Sequence, residues 1–173
     1  MFRNRTRIMV ILGSLAAGIY TGFILEYRVP SVMLICYALI QTYGYFRWGT
    51  VWLAWIKFER KDLSACESIL AEIRRPGVLA KSLQGFYHFQ YAGVELWKNG
   101  DYSRAEEHCR RALDIGIRTP NNKAIAHIMM AQICIAAHRR DEAISWLERA
   151  KRIPHKAVLD NGIFRMLEEL RED

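Results

Sequence analysis

Polar and apolar positions divide the chain into two regimes. In the first, apolar residues come in blocks: residues 8–25 and 29–46 are two runs of 18 residues without a charge, separated by Glu26, Tyr27 and Arg28. In the second, from about residue 62 onward, apolar residues return at the three-to-four spacing of an amphipathic helix. Its clearest stretch lies between residues 96 and 113. Leu96 and Trp97 close one helix, Asn99, Gly100 and Asp101 supply turn chemistry, and Ala105, Cys109 and Ala112 recur as small residues along one face of the next helix. Small side chains let two helix backbones approach, Gly100 can take the left-handed conformation that ends the first helix, and Asp101 is placed to cap the second. The pattern predicts a tight helical hairpin.

The hairpin repeats. Ala105 has a counterpart at Ala143, 38 residues later in a segment followed by Pro154, and at Cys66, 39 residues earlier. Ala54, Gly93 and Ala131 precede these by 12 positions each, one small residue per first helix. On these residues the chain from about Trp48 to its C-terminus resembles the tetratricopeptide-repeat family, whose consensus unit is roughly 34 residues. The surplus falls in turn-rich connections, Arg74-Arg75-Pro76-Gly77 and residues 116–122, where insertions are tolerated. The middle copy follows the pattern best, the third less well and the first least, because Lys61 replaces the turn glycine. The resemblance implies an all-α fold, with about three helical hairpins stacked as a short superhelix and closed by a C-terminal capping helix. Ala157, Val158, Ile163, Phe164, Leu167 and Leu170 form the apolar face of that cap, and Gly162 is a point where it would kink or divide.

The two uncharged runs each approach the roughly 17 to 25 residues that cross a bilayer. They predict two transmembrane helices, over about 8–25 and 30–47, and a division into an N-terminal transmembrane hairpin, 1–47, and a repeat domain, 48–173. A cleavable signal peptide competes for the first run, since Ser14-Leu15-Ala16-Ala17 offers small residues after a short apolar core. The run continues past them, and a second follows, which favours a hairpin. For the second run the competing reading is a buried soluble helix. Arg3, Arg5 and Arg7 on one side, and Arg47, Lys57, Arg60 and Lys61 on the same side, set both ends in the cytoplasm by the positive-inside rule. Tyr43, Tyr45, Trp48, Trp52 and Trp55 read as an aromatic belt where the second span leaves the hydrocarbon. No proline interrupts residues 31–60, so that span is expected to continue into the first repeat helix, with Gly44 and Gly49 as weak points.

Charge sharpens this division. The 173-residue chain carries a net +7, which would ordinarily raise nucleic acid as a partner. Up to Lys61, however, there are 8 Lys/Arg and 2 Asp/Glu, and beyond it 17 and 16. The excess belongs to the apolar end, where it fits topology and anionic headgroups, and nucleic acid is not an expected partner. No chemistry of an enzyme emerges. Cys36, Cys66, Cys109 and Cys134 lack the spacing of a zinc site or disulfide framework, and three of them take inward repeat positions. His88, His108, His127, His138 and His155 are scattered, and no phosphate loop or nucleophile motif occurs. No catalytic residue, metal or cofactor is expected.

The resemblance implies a protein-binding groove lined by the first helix of each hairpin. Carried over by position, it names Tyr87, Gln90, Tyr91, Val94, Trp97 and Lys98 in the middle copy, and Ile125, Ile128, Met129, Gln132, Ile135 and Ala136 in the third. The face is apolar and aromatic, without the lysines and asparagines by which one subgroup of the family grips a C-terminal carboxylate. Either it binds a partner, or a helix of the same chain, such as the tail, packs on it. The expected function is a membrane-anchored scaffold or adaptor for protein–protein interaction. It resembles in domain order the repeat proteins of bacterial inner membranes that accompany complex assembly, with the N-terminus and repeats cytoplasmic. The alternative is an integral subunit of a larger membrane complex recognised through its spans, with Gly13, Ala16, Ala17 and Gly18 permitting close helix packing. Self-association into a homo-oligomer is a third reading.

Overall fold

The structure, a computed structural model, describes residues 4–24, 28–48 and 50–172, with side chains in 8–24, 29–44 and 50–172. It is all-helical among those residues. The nine helices are α1 (Asn4–Phe23), α2 (Arg28–Trp48), α3 (Val51–Glu59), α4 (Leu63–Ala71), α5 (Lys81–Val94), α6 (Tyr102–Ile115), α7 (Pro120–Ala136), α8 (Arg140–Arg152) and α9 (Asp160–Glu172).

Helices α1 and α2 pack antiparallel on each other. Glycine makes the contact possible: a Cβ on Gly22 would fall 2.4 Å from Ser31 Oγ, and one on Gly18 would fall 3.0 Å from Ile35. The Ser31 hydroxyl donates to the Gly18 carbonyl at 2.6 Å, which satisfies a hydroxyl between two apolar surfaces. Among the described residues no helix is long and apolar enough to cross a membrane. The expected spans 8–25 and 30–47 run in part, at residue 25 and residues 45–47, into positions whose side chains lie outside those described. A transmembrane hairpin is therefore not shown.

The continuous helix expected through residues 31–60 is interrupted. Helix α2 stops at Trp48, and Thr50, with φ −103° and ψ 12°, is the N-cap residue from which α3 starts afresh. The aromatic belt is also redistributed. Trp55 lies against Phe86 at 4.8 Å and Phe89 at 6.3 Å between ring centres, and so joins α3 to α5 inside the repeat. Trp52 keeps half its surface exposed while touching Phe86. The side chains of Tyr45 and Trp48 lie outside the described residues.

Helices α3/α4, α5/α6 and α7/α8 form three successive hairpins, and α9 covers the last. The small residues that set the repeat spacing are all buried: Ala54, Gly93 and Ala131 on the first helices, Cys66, Ala105 and Ala143 on the second. The reason is contact distance, since a Cβ on Gly93 would fall 2.5 Å from the Phe58 ring. Asp62 and Asp101 cap α4 and α6 by accepting from the backbone N–H groups of Ala65 and Arg104 at 3.2 and 2.9 Å. One core extends from Val51 to Ile133, and a second gathers Ala131, Leu147 and Ala150 beneath Ile163 and Leu167 of α9. The tail differs from expectation in two respects. Helix α9 passes Gly162 without a break, and Ala157, Val158 and Phe164 are exposed and take no part in the cap.

Candidate binding face

The expected groove residues separate into a buried and an exposed set. Tyr87, Gln90 and Val94 are in the core, as is Met129, and present no surface to a partner. Gln90 shows why: its Nε2 donates to the Val51 carbonyl at 3.4 Å, so this polar side chain ties α5 to the neighbouring α3. Tyr91 and Ile125 are half-buried, with the Tyr91 ring stacked on His108 at 5.1 Å. Ile128 is half-buried in the small core that α9 closes. What reaches the surface is Trp97, Lys98, Ile135 and Ala136, with Gln132 partly exposed.

Trp97 is the centre of this exposed set. It is 47% exposed and belongs to a π turn, Glu95–Asn99, which prolongs α5 and ends at Gly100 in the left-handed region, φ +66°. Such a widened turn re-aims the side chains it carries. The Trp97 indole N–H donates to Gln132 Oε1 at 3.3 Å, and its ring lies 5.8 Å from Phe58. Phe58, Trp97 and Gln132 therefore form a strip across α3, the turn that prolongs α5, and α7, and Ile135 is exposed three residues beyond Gln132 on α7. Phe58 was absent from the sequence-derived groove, although it precedes Trp97 by the same 39 residues that separate Cys66 from Ala105.

Polar groups fix the strip in place. Lys98 is paired with Glu67 of α4, and Asn99 Nδ2 donates to the other oxygen of Glu67 at 3.4 Å. The Lys98 and Asn99 hydrogen bonds hold the Glu67 carboxyl below its ordinary range. Glu95 is buried, where Arg104 reaches it at 3.3 Å and Asn99 donates to it at 2.8 Å. Lys98 is thus engaged within the repeat, as a brace between hairpins.

Folding also joins two histidines that the sequence scattered. His88 and His108 meet across the α5/α6 hairpin with Nδ1 to Nδ1 at 2.9 Å, a contact in which one neutral ring donates to the other. Burial lowers both, His88 to about 4. Burial likewise lowers His127 to about 4, and its Nδ1 is buried without a hydrogen-bond partner. Burial pushes the Cys66 and Cys109 thiols up to about 12, where they are unreactive packing groups. Among the described residues no group of three or more His, Cys, Asp or Glu is placed to hold a metal ion.

Residues 86–154 match the tetratricopeptide repeat family. The matched stretch takes in most of α5 and all of α6, α7 and α8, the two hairpins that carry Trp97, Gln132 and Ile135. No curated protein and no solved structure matches the chain. The repeat match supports a scaffold for protein–protein interaction.

Proposed function

We propose that this chain is a membrane-anchored scaffold. Helices α1 and α2 hold it in a bilayer, bacterial and inner, and the cytoplasmic repeats recruit a partner protein through the Trp97 strip. The observation that carries the reading is the outward face of α1 and α2. Met9, Leu12, Phe23, Met33 and Ile40 are all exposed by 60% or more. No charged residue occurs at 8–25 or 29–46. A helix pair that is apolar both between its members and on its outside is suited to hydrocarbon, whereas in water it would expose a large apolar patch. Anchoring gives the strip its use, because confinement to a layer beside the membrane raises the effective concentration toward another membrane protein. The chain performs no catalysis in this reading.

The test is capture from native membranes in mild detergent with the full chain and with Trp97→Ala/Ile135→Ala. The double variant should keep its helicity and its resistance to carbonate extraction while losing the partner. Extraction by carbonate would remove the anchor, and undiminished capture would remove the strip. A second reading, an integral subunit recognised through its spans, draws on α1. Gly18 is used against α2, but Gly13 has open space where a Cβ would stand, and Ala16 and Ala17 are exposed. Capture lost on Gly13→Leu and kept by the strip variant would favour it.

A further inference from the structure

The repeat has two edges of unlike charge. The three connections between successive hairpins and onward to α9, residues 72–80, 116–119 and 153–159, lie at one edge, and the turns within the hairpins lie at the other. Contacts hold the first edge together. Gly85 at the start of α5 approaches the Gly116 carbonyl so closely that a Cβ would be 2.3 Å from it, and the Lys156 N–H donates to Asn121 Oδ1 at 3.1 Å. This is also the edge by which α2 enters, because Trp48 and the start of α3 at Val51 are separated by two residues.

Arg74, Arg75, Arg118, Lys123, Arg152 and Lys156 all stand exposed on that edge. None of them forms an ion pair among the described residues. The acids there are Glu72, Asp114 and Asp160, and Asp160 is held by His155 at 2.9 Å. The opposite edge balances its charge. Lys57 pairs with Asp62, Lys98 with Glu67, Arg104 with Glu95, and Arg139 with Glu106 and Glu142. Arg60, Lys61 and Arg140, without an ion pair among the described residues, share that edge with the further acids Glu59, Asp101 and Asp141. Helix α9 runs from the basic edge toward the other and carries Glu168 and Glu169 away from the connections. Folding thus separates charges that nearly cancel along the sequence.

We propose that this basic edge is a docking surface for anionic phospholipid headgroups, an inference that rests on the membrane-anchored reading. The chemistry is complementary. Exposed, unpaired guanidinium and ammonium groups gain most at a negative lipid surface, where each strengthens attachment about fivefold. The attraction fades within about 10 Å at ordinary salt, so the groups act only if held near the bilayer, and the entry of α2 holds them there. Docked on this edge, the repeat turns its hairpin turns, and Trp97 with them, away from the lipid toward partners.

The test places a fluorophore on the full chain, in a Cys36→Ser background that leaves the three buried cysteines, at Ala157→Cys on the basic edge or Ala137→Cys on the opposite one. The chain is reconstituted into vesicles of phosphatidylcholine with or without phosphatidylglycerol, each carrying a headgroup-linked acceptor dye. Energy transfer should be greater from position 157 than from 137 and should rise with phosphatidylglycerol. It should fall at raised salt, and Arg118→Glu/Lys156→Glu should weaken docking by at least about 25-fold. Equal transfer from both positions, or transfer from 157 indifferent to lipid charge, overturns the proposal. So does displacement by an equal charge of RNA, which would assign the edge to nucleic acid. A chain that resists carbonate yet shows no lipid dependence keeps its anchor and loses the docking edge. A chain that carbonate strips from phosphatidylcholine loses the anchor, and the edge then stands or falls on salt-sensitive flotation with the anionic vesicles.

Discussion

Positions 61, 100 and 138 make the same left-handed turn with three different residues. Gly100 takes φ +66° at no steric cost, but Lys61 at φ 59° and His138 at φ 54° place a Cβ in that conformation. The spacing repeats because the hairpin repeats, and the copies that lack glycine carry the strain. His138→Gly should therefore raise stability by about 0.5–1 kcal/mol in urea denaturation, the relief of strain exceeding the added freedom of the unfolded chain. The opposite change is expected at Gly93, where a methyl group would meet the Phe58 ring. Gly93→Ala should cost about 1–3 kcal/mol by the same measurement. Titration is a third matter for single residues. His88 and His127 have folded pKa values near 4 against an ordinary 6.5, so neutral imidazole stabilises the fold above about 6.5. That contribution is lost as pH falls from 6.5 toward 4. The lowered carboxyls of Asp62 and Glu67 fail only in a more acidic window, below their ordinary values of 3.8 and 4.5. Melting temperature should fall as pH is lowered from 6.5 to 4.5, and His88→Phe should flatten that limb. An unchanged melting temperature across the interval would refute the neutral pair.

Among the elements, α3 has a role that its sequence concealed. Its Lys61 turn and apolar surroundings made it the least regular copy, yet Trp55 and Phe58 pack on Phe86 and Phe89 and complete the largest core. Trp55 and Phe58 are partly buried, so each contributes a share of the roughly 3–5 kcal/mol that a fully buried aromatic gives. A fragment 50–173 should melt cooperatively, whereas 62–173 should melt broadly and bind a hydrophobic dye. Equal behaviour of the two would show that α3 is dispensable. The hairpins were legible because close helix packing demands small residues at fixed spacing, and Ala54, Gly93 and Ala131 recur for that reason alone. The groove was only half legible. Family positions identified Trp97 and Ile135, but whether Gln90 or Val94 reaches solvent depends on how tightly α3 lies against α5, which no local pattern encodes. The His88 and His108 contact was hidden for a similar reason, since it depends on the relative rotation of two helices.

For the whole molecule, the consequence of stacking is that damage at one end stays near that end. A repeat array is bound by neighbour contacts, so each hairpin draws its stability from itself and the next. The charge separation between edges is a property of the same stacking, and a count along the chain averages it away. Helix α9 supplies the final interface: Ile163 and Leu167 cover Ala131, Leu147 and Ala150, and the Arg171 guanidinium reaches Glu148 at 3.2 Å. Ending the chain at Arg152 would expose that apolar surface and remove two buried large side chains, each contributing roughly 2–5 kcal/mol. The loss should fall on α7 and α8. Amide exchange in those helices should accelerate by orders of magnitude, while α5 and α6, which bury Phe89 and Cys109 in the other core, change much less. Self-association through the uncovered end should accompany it, visible as a concentration-dependent mass. Acceleration spread evenly from α3 to α8 would mean instead that the three hairpins fold as one cooperative unit, with α9 stabilising all of them together.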